Sequence, residues 1–104
     1  MASFEIRFAH RFGPDELRER AERFARSAEE RYKTLWHWEG DTLRIRTPSD
    51  TAYAASAALV AGPDEVSVHV TMPPALLPMR AMLERDLRWA LERTFGVSLT
   101  DGDA

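Results

Sequence analysis

Alternating hydrophobic and polar positions dominate much of the chain, and the clearest alternation predicts a β-hairpin at Gly40-Asp41. A Gly-Asp pair between two alternating runs is a typical two-residue hairpin turn. In the register that this turn sets, Trp38 lies opposite Leu43, and Trp36 lies opposite Ile45. These four side chains share one face of the sheet, because neighbouring residues of a strand point to opposite faces. The other face carries polar side chains, namely His37, Glu39, Arg44 and Arg46.

Three more stretches, residues 3–12, 51–61 and 66–71, are predicted to be strands. The first and last of these alternate clearly. Residues 51–61 are ambiguous, because their many alanines favour a helix. The Gly62-Pro63-Asp64 turn that follows favours a strand instead, paired with the last stretch. We predict a strand in which three side chains face the valines of that stretch: Ala61 opposite Val66, Leu59 opposite Val68, and Ala57 opposite Val70. Small side chains there would let a helix approach the sheet closely.

Spacings of three and four residues predict two amphipathic helices. The first opens at Gly13-Pro14, since proline suits the first helical turn. Its predicted apolar stripe is Leu17, Ala21, Phe24, Ala25, Ala28 and Tyr32. The second runs from Met79 to Phe95 and ends at Gly96. Its predicted core stripe is Met79, Leu83, Leu87, Ala90, Leu91 and Thr94, with Phe95 at the margin.

The element order β-α-β-β-β-β-α predicts an α+β fold, with about five antiparallel strands and two helices on one face. If the first helix carries the chain back along the sheet, the spatial order of strands is 2-3-4-5-1. We predict a single domain over residues 1–104, with an ordered core of about 3–96 and a tail at 97–104.

Composition excludes several function classes. The chain has no cysteine, so it forms no disulfide or thiolate metal site, and its net charge of −3 disfavours nucleic acid as a partner. No apolar run approaches the length of about 18 residues that a membrane helix needs. The N-terminus lacks the features of a secretory signal, which predicts a cytoplasmic protein.

Residues with catalytic or metal-binding chemistry form no recognisable motif. His10, His37 and His69 are the only histidines, and none has helical ligand spacing to another, so we predict no metal site. Glu39 and Asp41 suit hairpin and turn roles better than acid–base catalysis. Because no nucleophile–base pair is visible, we expect neither an enzyme nor a bound cofactor.

Some apolar residues on and just before the second helix do not belong to its predicted core stripe. At 100° per residue, Met82 and Trp89 fall about 140–160° from Leu87 at the centre of the buried stripe. Leu76 and Leu77 precede the helix and extend the surface. We therefore predict a contact patch of Leu76, Leu77, Met82 and Trp89, although single exposed apolar residues are also common. Trp36 and Trp38 are interpreted as core residues rather than as a stacking platform.

Three stretches resemble the polyhydroxyalkanoic acid system family, whose small proteins are associated with polyhydroxyalkanoate storage granules. They are His10–Gly13 leading into Leu17–Glu22, then Trp38–Leu43, and Leu76–Met79. The Ala-rich residues 52–61 depart from the family, in which this strand is more polar and contains glycines. The resemblance covers most of residues 3–95 and brings no catalytic residues.

The resemblance implies a non-enzymatic protein that contacts a granule surface, a granule protein or a second copy of itself. The alternative is a carrier that holds a small apolar ligand between the sheet and the C-terminal helix, by analogy with helix-grip folds. Against this alternative, we expect so short a chain to leave no large void once its tryptophans and helix stripes are packed.

Overall fold

The computed structural model describes residues 2–48 and 54–99 and contains the predicted order of strands and helices. Its elements are β1 (Ala2–Ala9), α1 (Pro14–Tyr32), β2 (Leu35–Glu39), β3 (Thr42–Arg46), β4 (Ser56–Ala61), β5 (Glu65–Met72), a 3-10 helix (Pro74–Met79) and α2 (Arg80–Phe95). The five strands form one antiparallel sheet. The α+β class with two helices is therefore confirmed.

The strands lie in the order β1-β5-β4-β3-β2. This is the predicted order read from the opposite edge. Strand β1 pairs antiparallel with β5, so that Phe4 lies opposite Val70 and Ile6 opposite Val68. The first and last strands in sequence are thus neighbours, which makes the pairing of β1 the most non-local one in the sheet.

The hairpin register is confirmed. Trp36 pairs with Ile45 and Trp38 with Leu43, and Gly40 has a φ of 62°, a left-handed value that glycine adopts without strain. On the polar face, the Glu39 carboxylate lies 2.9 Å from His37 Nε2 and accepts a hydrogen bond from Arg44 Nε at 3.0 Å. The hydrogen bonds from His37, and then from Arg44, hold the pKa of Glu39 below its usual value.

Residues 56–61 form a strand, as predicted from the turn that follows them. Ala61 lies opposite Val66, Leu59 opposite Val68 and Ala57 opposite Val70. Strand β4 lies between β3 and β5, so its backbone groups complete the hydrogen bonding of both neighbours. That requirement outweighs the helix propensity of alanine. The part of the prediction at residues 51–53 lies outside the described residues.

The core lies between one face of the sheet and the two helices. Its largest fully buried side chains are Phe24, Phe95, Ile6, Leu43, Leu59, Met72, Leu91, Val66 and Val68. Helix α1 approaches β4 closely, as its small side chains predicted. Beyond α2, Leu99 is also buried, and its N–H donates to the Glu92 carboxylate at 2.7 Å.

The predicted stripe of the second helix is wrong at its two ends. Phe95, placed at the margin, is 1% exposed and meets Phe8 edge-on at 5.1 Å between ring centroids. Met79, placed in the core, is 46% exposed. It ends the 3-10 helix, and α2 begins only at Arg80. A 3-10 helix has three residues per turn rather than 3.6, so the phase of the stripe does not extend back to Met79.

Trp36 and Trp38, which the sequence analysis interprets as core residues, pack at the margin of the core. Both are half-buried, because β2 is an edge strand of the sheet. Their indole N–H groups donate to carboxylates of α1: Trp38 to Glu22 at 2.7 Å and Trp36 to Glu29 at 3.1 Å. The rings therefore fasten the edge hairpin to the helix.

Candidate functional site

A cavity of about 300 Å³ lies between the sheet and the segment formed by the 3-10 helix and α2. The sheet contributes Ile45, Ala57 and Val70, and α1 contributes Phe24 and Ala28. The opposite wall is formed by Leu76, Met79, Met82, Leu83 and Leu87. The cavity is open to solvent, because its lining includes exposed residues on both sides: Met79 and Met82, at 46% and 50% exposure, and Arg46 and Ser56 on the sheet.

The cavity exists because the two halves of α2 pack differently. The buried residues of α2 are Ala90, Leu91, Thr94 and Phe95, all in its C-terminal half. In the N-terminal half, Leu83 and Leu87 are only half-buried and line the cavity instead of filling it. Opposite them, Ala57 and Ala28 offer single methyl groups. The expectation that so short a chain would leave no large void is therefore wrong.

A polar cluster at one side of the cavity is internally satisfied. The Tyr32 hydroxyl donates to Asp86 Oδ2 at 3.1 Å, and Arg31 Nη2 donates to the same oxygen at 3.2 Å. Burial raises the pKa of the Tyr32 phenol above its usual value, and the hydrogen bond to Asp86 raises it further. The phenol consequently stays protonated at neutral pH, and the negative charge of Asp86 is compensated by Arg31.

Thr34 is the unsatisfied polar residue of the cavity wall. It lies between α1 and β2, is buried at 7% exposure and lines the cavity. Its Oγ1 has no hydrogen-bond partner within residues 2–48 and 54–99. A buried hydroxyl without a partner costs about 1–3 kcal/mol of stability. The hydroxyl oxygen has almost no accessible surface, so Thr34 contacts the cavity through other atoms.

Two residues of the predicted contact patch line the cavity, and the other two lie outside it. Leu76 and Met82 both line the cavity, whereas Leu77 is 45% exposed and lies outside its lining. Trp89, at 49% exposure, also lies outside the lining. Its ring is flanked by two guanidinium groups, Arg93 at 4.8 Å and Arg31 at 5.7 Å from the ring centroid. A contact role for the four residues stays a prediction.

Sequence reasoning missed Thr34 and Asp86 entirely, and it assigned Tyr32 and Ala57 only to packing. Thr34 gives no sequence signal, because a threonine before a strand is unremarkable. Asp86 lies in a helix rich in charged residues, where it resembles any solvated side chain. Their proximity depends on how α2 is placed against α1, since Tyr32 and Asp86 are 54 positions apart in the chain.

Across the two described ranges, no three His, Asp or Glu side chains are arranged to hold a metal ion. In the same residues, no helix is both long and apolar enough to cross a membrane. His37 and His69 are exposed on the polar face of the sheet, as predicted.

The model of the polyhydroxyalkanoic acid system protein family, PHA_gran_rgn, matches residues 4–95. The chain belongs to this family. No curated protein and no solved structure matches the chain. The family match includes both helices and all of the sheet except the first two residues of β1, and every residue of the cavity wall lies within it.

Proposed function

We propose that this polyhydroxyalkanoic acid system protein acts without catalysis, by binding an apolar molecule in the cavity between the sheet and α2. The observation that carries the proposal is the cavity itself, about 300 Å³ with predominantly apolar walls and an opening at Met79 and Met82. Ligand sites are typically concave and mostly apolar, with few polar groups. The cavity has this character.

Its size suits a small molecule. Ligand pockets usually range from about 300 to 1,000 Å³, and the cavity lies at the lower end of that range. An apolar cavity of about 150 Å³ is large enough for benzene. Twice that volume has room for about a dozen non-hydrogen atoms. The ligand is therefore a short chain or a single ring rather than a long lipid.

The polar residues of the cavity support binding rather than catalysis. Tyr32 donates to Asp86, and Asp86 is held by Arg31 as well. A general base needs a carboxylate that is free to take a proton from a substrate. Because Asp86 is already paired twice, the cluster suits a fixed wall better than an acid–base pair.

Filling the cavity tests the proposal. Ala57→Leu adds three carbon atoms to the floor, since Ala57 lines the cavity between Ile45 and Val70. Since benzene, with six carbons, fits a cavity of about 150 Å³, three added carbons fill about 75 Å³, roughly a quarter of the cavity. We expect n-butylbenzene to bind at least about tenfold more weakly than to the wild type. Isothermal titration calorimetry and NMR titration measure the affinities.

Ala58→Leu is the matched control, because Ala58 is on the same strand but pairs with Arg44 and His69 on the polar face. It should leave the affinity unchanged. Equal losses in both variants, or wild-type protein that binds no apolar probe, would refute a ligand site in the cavity.

A second candidate function is contact with a granule surface or a granule protein. It is favoured by the exposure of four large apolar side chains on the 3-10 helix and α2: Leu77, Met79, Met82 and Trp89. Exposed apolar residues that cluster are typical of interaction surfaces. Of these four residues, Leu77 and Trp89 lie outside the cavity lining, so variants at these two positions test the contact surface without changing the ligand site.

A further inference from the structure

We propose that the outer face of α2 binds an anionic lipid surface, through a stripe in which exposed apolar side chains alternate with arginines. This outer stripe consists of Met82, Arg85, Trp89 and Arg93. The inference rests on the second candidate function, contact through the outer surface, and adds the chemistry of the partner. It does not depend on a ligand in the cavity.

The four residues of the outer stripe lie on one face of α2. They follow each other at spacings of three, four and four positions, which place side chains next to one another along a helix. All four are exposed. The buried residues Leu91 and Thr94 lie on the opposite side of the helix. The stripe therefore faces away from the core.

Within α2, all of whose residues are described, arginine is the only charged residue type that is exposed. The three carboxylates of the helix are half-buried and already accept hydrogen bonds: Glu84 from Arg88, Asp86 from Tyr32, and Glu92 from the Leu99 N–H. The exposed residues are Arg80, Ala81, Met82, Arg85, Trp89 and Arg93. The outer face is thus apolar and cationic, in a chain whose net charge is −3.

Trp89 is at the centre of the outer stripe, with cations beside its ring. The Arg93 guanidinium lies 4.8 Å from the ring centroid, and that of Arg31 lies 5.7 Å from it. Tryptophan is enriched at membrane–water interfaces, because its ring is apolar and carries one polar N–H group. Guanidinium groups bind phosphate well. The ring would contact the acyl chains of a lipid layer while the arginines contact its headgroups.

The exposed side chains of α2 suit a lipid surface better than a protein partner. A typical protein interface has about ten hydrogen bonds, which need donors and acceptors on both sides. Between Arg80 and Phe95, no exposed side chain has a hydroxyl, amide or carboxylate group, so none of them is a good acceptor. Binding to a lipid surface requires only buried apolar area and attraction between cations and anionic headgroups.

A second copy of the chain is disfavoured by charge. In a two-fold symmetric dimer the same surface contacts itself, so Arg85 and Arg93 of one copy would face the same arginines of the other. Like charges that face each other across an interface oppose association. Anionic headgroups complement these arginines instead.

Sedimentation of the full chain with lipid vesicles tests the inference. The vesicles consist of phosphatidylcholine alone or of an equal mixture with phosphatidylglycerol, which is anionic. We expect at least about tenfold tighter binding to the mixture, since each arginine near an anionic surface contributes about fivefold. Raising the ionic strength from about 0.1 M to about 1 M should release most of the protein, because the Debye length falls from about 10 Å to about 3 Å.

Two double variants test the location of the site. Arg85→Gln/Arg93→Gln should bind the mixed vesicles about 20-fold more weakly, through a loss of about fivefold for each arginine. Arg7→Gln/Arg44→Gln is the matched control, because it changes the net charge equally at exposed positions on the polar face of the sheet. It should bind within about twofold of the wild type, since distant charges are screened by salt. Equal urea midpoints for Arg85→Gln/Arg93→Gln and the wild type show that this variant folds.

Tryptophan fluorescence provides a second measurement. On binding to mixed vesicles, the emission should shift to shorter wavelength as Trp89 leaves water. The shift should be absent in Trp89→Phe, which retains Trp36 and Trp38. A shift of equal size in Trp89→Phe would show that another part of the chain contacts the lipid and would overturn the inference.

The remaining outcomes separate this inference from the functions on which it bears. Equal binding to both kinds of vesicle, or equal losses in the two double variants, would overturn it. Binding to isolated granules without binding to any vesicle would also overturn it, but would leave the contact function with a granule protein as partner. The affinity for n-butylbenzene reports on the cavity separately, and Arg85→Gln/Arg93→Gln should leave it unchanged.

Discussion

His10 connects the end of β1 to the turn between β4 and β5. Its Nδ1 accepts the Phe12 N–H at 3.0 Å, and its Nε2 lies 2.7 Å from the Gly62 carbonyl oxygen. Because Nδ1 accepts, the proton is on Nε2, which donates to Gly62. The ring also stacks on Phe12. His10 therefore holds the backbone between β1 and α1 against the turn that joins β4 to β5.

Replacing His10 by alanine removes two hydrogen bonds from a buried position. Each such bond contributes about 1 kcal/mol, so we expect His10→Ala to lower the free energy of unfolding by about 2 kcal/mol in urea denaturation. His69→Ala is the control, because His69 is exposed on the polar face. It should change stability by less than about 0.5 kcal/mol. Equal effects would contradict a structural role for His10.

At the scale of elements, helix α1 holds the edge hairpin through Glu22. Its carboxylate accepts the Trp38 indole N–H at 2.7 Å and lies within 3.8 Å of the guanidinium groups of Arg18 and Arg26. The Arg18 guanidinium also lies over the Trp38 ring, 4.1 Å from its centroid. An edge strand has a hydrogen-bonded neighbour on one side only, so contacts of this kind determine how firmly it is held.

Glu22→Ala should therefore lower the free energy of unfolding by about 1–2 kcal/mol, because a hydrogen bond to a charged group is lost. Glu19→Ala is the matched control, since Glu19 is on the same helix and, among the described residues, forms an ion pair only with the exposed Arg23, 3.5 Å away. It should cost less than about 0.5 kcal/mol. Tryptophan emission should shift to longer wavelength in Glu22→Ala alone. Indistinguishable midpoints for the two variants would show that the indole contact does not stabilise the hairpin.

At the scale of the whole molecule, the apolar surface of α2 has an inner and an outer part. Leu83 and Leu87 face the cavity, whereas Trp89 lies outside it, and Met82 lies at the boundary because it lines the cavity while half exposed. A ligand carrier and a granule-contact protein thus use different parts of one helix.

Co-sedimentation with isolated polyhydroxyalkanoate granules tests the outer part. If the predicted patch makes contact, Leu77→Asp and Trp89→Asp, at exposed positions outside the cavity lining, should each lower the bound fraction several-fold, since a charge opposes burial of the surface. Ala81→Asp adds the same charge at another exposed position of α2 and should bind like the wild type. Ala57→Leu should also bind normally, because it changes only the interior. Unchanged binding of both patch variants would exclude this surface.

The sequence by itself determined the hairpin register and the pairing of β4 with β5, whereas β1 ends at Ala9 rather than at Phe12 and β4 begins only at Ser56. Alternation has a period of two, and a two-residue turn sets the pairing, so the partners of Trp36 and Trp38 followed from local pattern alone. In β1, the same period of two places Phe4, Ile6 and Phe8 on one face, and all three are buried.

Only the tertiary structure decided the cavity and its unsatisfied threonine. The volume above Ala57 depends on where α2 docks, and docking is set by contacts of its C-terminal half, such as Phe95 against Phe8. The 3-10 segment before α2 shifts the phase of the apolar stripe, which a count of 3.6 residues per turn does not anticipate. The cavity is bounded by side chains that are far apart in the chain, so the local periodicity of the sequence does not predict it.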